Sequence, residues 1–462
     1  MANSYLFINM NIILLTRILF TGVYIFWLLI SIIYIDSLGS LSQSLPQNIM
    51  GWLAIIFLIS AILFHAYYKK IKICITLPAF CYISAIIILS INLFIPDNNN
   101  ELNFWYLSGI IVGVIFYISG LQIENKSLIK NYCIYSYILI SSIQSVITIY
   151  QYIFEAGIFY LASDMRSNGL SQQINILSVN MTTAYLLTIT VIILPLFSLK
   201  ESKYEKIRVI LLSFLSLIFT INIVILQSVT TWLLFFVLNS IFICLFIKKN
   251  KYLVISILLI TFIAIFIGTY LLKLAPDFID NDFINQFHLK QMLRFSINLF
   301  LEKPYEAWEQ SLLIYNNHEK VAIPFLTHQY YVISHSHNGI LLWLMKNSII
   351  NILSLSLLIT GSTYIIYQSI VKYKRNGNGY SLAIILDIIP LIVYAIVEYP
   401  FLLSVFHWGN IILFLSFSDI SFKLKSQTLI YIDKIFSSLI CLIISIIGVA
   451  ILIISAILFN YF

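Results

Sequence analysis

The sequence predicts an all-α fold: a polytopic transmembrane helical bundle of about 12–14 helices with a large outward loop containing short helices. Three observations lead there. The 462 residues are 61% hydrophobic and only 10% charged, and the mean hydropathy is +0.97, far from the composition of soluble domains. Apolar runs of about 20 residues, the length that crosses a bilayer core as a helix, recur from end to end. The short loops between them alternate in charge. The weak alternation and short turns of a membrane β-barrel do not occur, so the spans are expected to be helical.

Taken in order, the first apolar run, Ile13 to Ile35, is too long for a signal-peptide core and has no small-residue cleavage site, so it is expected to be a retained helix. Six loops are basic: "YYKKIK" (67–72), "ENKSLIKN" (124–131), "KESKYEKIR" (200–208), "IKKNK" (247–251), "VKYKRNGNG" (371–379) and "FKLK" (422–425). These are expected to face the cytoplasm. The intervening "DSLGSLSQSLPQN" (36–48), "PDNNNEL" (96–102) and the stretch from Ala275 to Asn338 have few Lys or Arg or balance them with acids, and are expected to face outward. The alternation fits about thirteen helices with a cytoplasmic N-terminus. Pro390 and Pro400 allow 381–417 to be divided in more than one way. Three parts follow: N-terminal helices over 1–273 with an outward loop at 155–176, a large loop over 274–338, and C-terminal helices over 339–462.

Both outward segments, Glu155 to Ile176 and the one ending at Asn338, exceed the usual helix-to-helix connection, and loops that long commonly carry function. The second contains "NDFINQFHLKQMLRFSINLFLEKP", apolar at helical spacing and stopped by Pro304, which predicts a helix lying on the outer face. No internal repeat of the inverted-transporter kind is visible. Cys74, Cys81, Cys133, Cys244 and Cys441 are scattered through apolar spans without metal-like spacing and read as small core residues. The net charge of +7 sits in the short clusters between spans, where membrane topology accounts for it, leaving no basic domain for a nucleic acid.

The polar residues that stand out are Arg166, Arg294, His335, His337 and Glu398, all on the outward side or at its edge. Charged and imidazole groups at membrane depth are costly and tend to face a functional cavity, although each taken alone is equally well read as an interfacial, wetted residue. His335 and His337, with His318 and His328 nearby in sequence, suggest a metal only weakly. On a helix, ring positions two apart point about 200° away from each other, so a shared ion requires an extended segment. Ser336 lacks an orienting acid for a triad. No metal or cofactor is expected.

"SHSHNGILLWLM" resembles the His-Asn signature that follows the large periplasmic loop of bacterial O-antigen ligases, O-antigen polymerases and PglL-type O-oligosaccharyltransferases. "RSNGLSQQINILSVNMTTAYL" matches the Arg-x-x-Gly-x-x-x-Gln-x-Asn pattern of the PglL-type protein ligases, with Arg166, Gly169, Gln173 and Asn175 in register. "LRFSINLFLEKP" resembles the Arg-then-Phe-x-x-x-Pro entry to the family's loop, carried by Arg294, Phe300 and Pro304. "VEYPFLLSVFHWG" resembles the late Glu-aromatic-Pro segment, carried by Glu398, Tyr399 and Pro400. All four occur in the family's order, from 166 to 409. The chain departs from the pattern where "QSVTTWLL" places Val229 at the usual arginine of a Ser-Arg-x-x-Trp segment. It departs again where Lys346 and Ser348 occupy the positions of the usual Glu and Gly.

The resemblance implies transfer of a glycan from undecaprenyl-diphosphate to an acceptor hydroxyl at the periplasmic face of the bacterial inner membrane. A guanidinium, always charged and fork-shaped, suits the charge that develops on a leaving diphosphate, a role that falls to Arg294 and Arg166. An imidazole titrating near neutrality suits removal of the acceptor's proton; His337 is the first candidate and His335 the second, with an orienting or acceptor-binding role otherwise. Asn338 and Gln173 suit sugar hydroxyls. Asn175 suits the same task or the cap of the next helix, and Glu398 an acceptor contact or an arginine pair. The expected partners are the lipid-linked oligosaccharide, membrane lipids, and a periplasmic or pilin-like protein carrying a Ser or Thr acceptor.

Two other functions stay open. Ligation of O-antigen to lipid A-core, or O-antigen polymerisation, uses the same donor; the Gln173-x-Asn175 and Glu398-Tyr399-Pro400 matches favour protein transfer. A lipid or solute transporter would use ionisable residues near mid-membrane, for which Asp387 and Lys346 are the candidates.

Overall fold

The computed structural model describes residues 2–33, 46–68, 74–91, 100–123, 128–154, 169–171, 174–248, 250–274, 348–377, 379–397 and 405–421. Among these residues the secondary structure is helical throughout. In chain order the helices are α1 (Ala2–Ile32), α2 (Pro46–Tyr68), α3 (Leu77–Ser90), α4 (Asn100–Gly120), α5 (Leu128–Phe154) and α6 (Ile174–Ile193). They continue as α7 (Ser202–Ile225), α8 (Val229–Phe246), α9 (Lys251–Leu274), α10 (Ser348–Asn376), α11 (Tyr380–Val397) and α12 (Val405–Ile420). Eight of them are long and apolar enough to cross a membrane, and four apolar helices are shorter. The amphipathic stretch before Pro304 lies outside the described residues.

Local sequence explains the boundaries. Thr76 caps α3, its hydroxyl accepting from the Ala79 N–H, and Pro78 stands in the first turn, where its missing N–H costs nothing. Pro195 ends α6 and opens a single 3₁₀ turn, Pro195–Phe197. α10 stops at Gly377, whose φ of +63° lets its N–H return 2.9 Å to the Tyr373 carbonyl. The division of 381–417 falls between Val397 and Val405, and α11 runs through Pro390 without interruption.

The helices are apolar outside and mixed inside, the inverse of a soluble bundle. On α5, Leu139, Ile143, Val146, Tyr150 and Ile153 are exposed whereas Gln144, Ser145, Thr148 and Gln151 are buried. At the centre stands α6, buried on every side from Ile176 to Ile193 and packed against α5, α7, α8, α9 and α11. Its threonines are tolerated there because Thr182, Thr183 and Thr188 donate to the carbonyls four residues back.

One end of the bundle gathers cations and amides on helix C-termini, where carbonyls lack intrahelical partners. Arg208 Nη1 donates 3.0 Å to Val191 O and Asn250 Nδ2 donates 2.8 Å to Ile193 O, closing the end of α6. Lys130 Nζ donates 3.3 Å to Phe417 O, and Lys372 donates to Ser421 O, closing α12. Tyr373 donates to Leu245 O near the end of α8. The basic segments 124–131, 200–208, 247–251 and 371–379 therefore share this end, and the segments 67–72 and 422–425 adjoin helix ends that lie there. We call it the basic end and its opposite the far end.

Candidate functional site

The far end is tied together by bonds between helix termini. Asn48, in the first turn of α2, accepts the N–H of Val405, the first residue of α12, at 3.0 Å. Two residues further, the His407 imidazole bonds to the Ile176 carbonyl at the start of α6 and lies 5.9 Å from the ring of Tyr394, near the end of α11. The Tyr152 hydroxyl, on the last turn of α5, donates 3.2 Å to Leu271 O on the last turn of α9. α10 runs from this end to the basic end, where Lys372 anchors it.

Of the residues expected from sequence to form a site, the structure describes Asn175, the second residue of α6 and half-buried. Arg166, Gln173, Arg294, His335, His337, Asn338 and Glu398 lie outside the described residues, as do Lys346, Tyr399 and Pro400. Chain connectivity ties the nearest of them to the far end. Arg166 precedes Gly169 by three residues, a reach of at most about 11 Å, and Gln173 stands between Ser171 and Ile174. Glu398 follows Val397, the last residue of α11. The segment with Arg294, His335, His337 and Asn338 leaves the end of α9 and enters the start of α10, both at the far end.

The described part of the "RSNGLSQQIN" motif rests in a polar seat on α5. Gln151 meets both polar groups of one peptide residue: its Nε2 donates 2.8 Å to Gly169 O, and its Oε1 accepts the Gly169 N–H at 2.8 Å. Two turns back, Gln144 Nε2 donates 2.5 Å to Ser171 Oγ, and Gln144 Oε1 accepts from Asn180 Nδ2 at 3.2 Å. Asn180 Oδ1 in turn accepts from the Tyr137 hydroxyl. Gly169 has φ +62°, and a Cβ there would stand 2.9 Å from Thr148 Oγ1 and 3.2 Å from Leu177 Cδ2. Both the backbone conformation and the close approach therefore require glycine. Alongside, Asn222 on α7 donates to Ser145 Oγ, and its Oδ1 has no hydrogen-bond partner among the described residues.

The sequence reading passed over Gln144, Gln151 and His407. The signal for the first two was available: Tyr137, Gln144 and Gln151 recur every seven residues, with Ser141 and Thr148 between them on the same helical face of an otherwise apolar run. His407 lies inside the late Glu-aromatic-Pro stretch, but its approach to α6 is a tertiary fact.

Two departures from the family pattern can be placed. Val229 is the first residue of α8, at the far end, and is 61% exposed. Ser348 opens α10. Asp387 lies about 10 Å along α11 from the basic end, fully buried, with Thr190 Oγ1 donating 2.9 Å to its Oδ1 and no partner for Oδ2 among the described residues.

Compared with models of protein families and with curated proteins, the chain matches none. The family resemblance therefore rests on the four motifs themselves.

Proposed function

We propose that the chain is a glycan transferase of the O-antigen ligase and polymerase superfamily, of the PglL type. It takes an oligosaccharide from undecaprenyl-diphosphate and joins it to a Ser or Thr hydroxyl of a periplasmic or pilin-like protein. The basic end faces the cytoplasm of a bacterial inner membrane, by the positive-inside rule, and the far end faces the periplasm. The observation that carries the reading is connectivity: three of the four segments matching a family motif adjoin a helix terminus of the far end, opposite the basic loops, and the fourth belongs to the chain that joins two such termini, the end of α9 and the start of α10. A shared site requires motifs scattered from 166 to 409 in sequence to meet at one end of the bundle, and this connectivity supports it.

In the reaction, the acceptor oxygen attacks the anomeric carbon of the first sugar. The bond from that carbon to the diphosphate oxygen breaks, and its electron pair leaves with the diphosphate. His337 takes the hydroxyl proton, and Arg294 and Arg166 meet the charge on the leaving group. His335, Asn338, Gln173, Asn175 and Glu398 hold donor sugar and acceptor. The apolar outer faces of α5, α7 and α9 leave a lipid-carried donor free to approach from within the bilayer.

The test is transfer in cells that make a lipid-linked oligosaccharide and contain both a pilin-like protein and lipid A-core, comparing wild type with His337→Ala. A glycosylated protein that disappears in the variant supports the proposal. A ladder on lipid A-core moves the reaction to O-antigen ligation, and longer glycan on the carrier moves it to polymerisation. No change in any of the three glycan pools sinks the transferase reading.

A further inference from the structure

We infer that Gln144 and Gln151 are positioning residues, which seat the chain at Gly169–Ser171, where the motif carrying Arg166 and Gln173 enters α6 at the far end; this role rests on the glycan-transfer proposal above. Four observations carry it. First, the two amides are fully buried in a span whose outer face is apolar, a costly place for polar groups that serve no purpose. Second, their hydrogen bonds go to the chain entering α6 and not merely to their own helix: Gln151 to the N–H and C=O of Gly169, Gln144 to the Ser171 hydroxyl and to Asn180. Third, a side-chain amide offers a donor and an acceptor in one plane whatever the pH, which is what the paired groups of one residue need. Fourth, Gly169 fits against Thr148 and Leu177 with no room for a Cβ, so the seat is shaped for this chain conformation.

The consequence is steric. With Ser171 held on one side and Ile174 in α6 on the other, Gln173 has one residue before it and none after it. Arg166 is tethered within about 11 Å of the seat. A side chain that must meet a transient charge gains from such restraint because its ordering cost is met on folding and not during the reaction. α5 itself holds no motif residue, so its polar stripe acts through the segment it grips.

The variants are Gln151→Leu, which removes both bonds, and Ser171→Ala, which removes the acceptor of Gln144 Nε2 and leaves Gln151 in place. Ser142→Ala is the control, a half-buried site on the same helix whose hydroxyl bonds within it. Two readouts are taken on the purified full chain: amide hydrogen exchange over the peptide containing Gly169–Ser171, and glycan transfer with the donor varied. Gln151→Leu is expected to speed exchange at this peptide by about tenfold or more and to cut transfer by about tenfold, with unfolding temperature little changed. Ser171→Ala should fall between it and wild type in both, and Ser142→Ala should match wild type. Unchanged exchange in Gln151→Leu overturns the seat; faster exchange with full transfer overturns the positioning role. If Gln151→Leu is not recovered from membranes, the same two outcomes are read from Ser171→Ala. A wild type that transfers nothing removes the glycan-transfer proposal and the positioning role with it, while exchange alone still decides whether the seat exists.

Discussion

Trp27 and Gly409 are matched in size across the packing of α1 on α12: a Cβ on Gly409 would stand 2.6 Å from Trp27 Cζ2 and 2.7 Å from Cη2. The indole cannot retreat, since it is fully buried, edge-on to Phe116 at 6.4 Å and beside Phe406 at 6.4 Å. Gly51 closes the remaining side, with its own added Cβ at 3.3 Å from Trp27 Nε1. Gly409→Ala is therefore expected to cost about 1–3 kcal/mol as overpacking, despite the better helix propensity of alanine. Gly22→Ala, on the same α1 with nothing within 4 Å of its added Cβ, should be neutral or gain up to about 1 kcal/mol. Denaturant unfolding of both variants in one detergent decides it; equal stability would show that the indole can shift.

The contrast between those two glycines illustrates what a sequence exposes and what it hides. The apolar runs announce α1, α2 and α5–α9 because crossing a bilayer fixes both the length and the composition of a helix. The clustering of Lys130, Arg208, Asn250 and Lys372 at one end follows from loop charge, which is also written in the chain. The split between α11 and α12 was open in sequence because Pro390 and Pro400 both look like stops, yet α11 packs on α6 closely enough to absorb Pro390. The seat was half legible. The stripe of Gln144, Thr148 and Gln151 has helical spacing, but its partner, a glycine with positive φ on another segment, depends on how α5 and α6 meet. His407 stayed hidden for the same reason, since its contact with the Ile176 carbonyl joins residues 231 positions apart.

Asp387 should tolerate loss of its charge but not loss of its hydrogen bond. Thr190→Val removes the donor to Asp387 Oδ1 and leaves a buried carboxyl without a partner among the described residues, an expected cost of about 1–3 kcal/mol. Asp387→Asn keeps an acceptor for Thr190 and should sit near wild type in stability and in glycan transfer. In the double variant Thr190→Val with Asp387→Leu both polar partners are gone, so most of the loss should return, giving a coupling of about 1–2 kcal/mol in the cycle. Failure of the double variant to recover, or loss of transfer in Asp387→Asn, would give this carboxyl a role beyond packing and would favour a transport function.

Arg208 joins two interactions of unequal weight. Its guanidinium binds both Glu205 oxygens, at 2.8 and 2.5 Å, across the first two turns of α7, and it also closes α6 through Val191 O. The ion pair is partly exposed and of the (i, i+3) kind, worth about 0.3–0.5 kcal/mol and weakened by salt. The bond to a buried carbonyl by a charged donor is worth about 1.5–3 kcal/mol and is less sensitive to salt. Arg208→Met is thus expected to lose about 1–3 kcal/mol, most of it retained at high ionic strength. Arg208→Lys should lose roughly half as much because an ammonium cannot reproduce the three-way fork. Unfolding measured at low and high salt separates the two contributions; a loss that vanishes in high salt would assign the stabilisation to the ion pair.

Val229 offers a gain-of-function test at the far end. It is the first residue of α8, 61% exposed, following Ser228, whose hydroxyl accepts from Thr231. A longer side chain there meets no buried neighbour, so Val229→Arg should fold normally. Its one cost is a cation at a helix N-terminus, about 0.3–1 kcal/mol. Under the proposed reaction the new guanidinium stands where the family pattern carries an arginine, at the same end as the segments bearing Arg166 and Arg294. It should then lower KM for the diphosphate-linked donor by about threefold to tenfold, the return for one solvent-accessible charged contact. Val229→Met, of similar length without charge, should leave KM unchanged. Measuring KM for the donor in wild type and both variants separates charge from bulk. An arginine variant that is stable but has an unaltered KM would place the leaving diphosphate away from the start of α8.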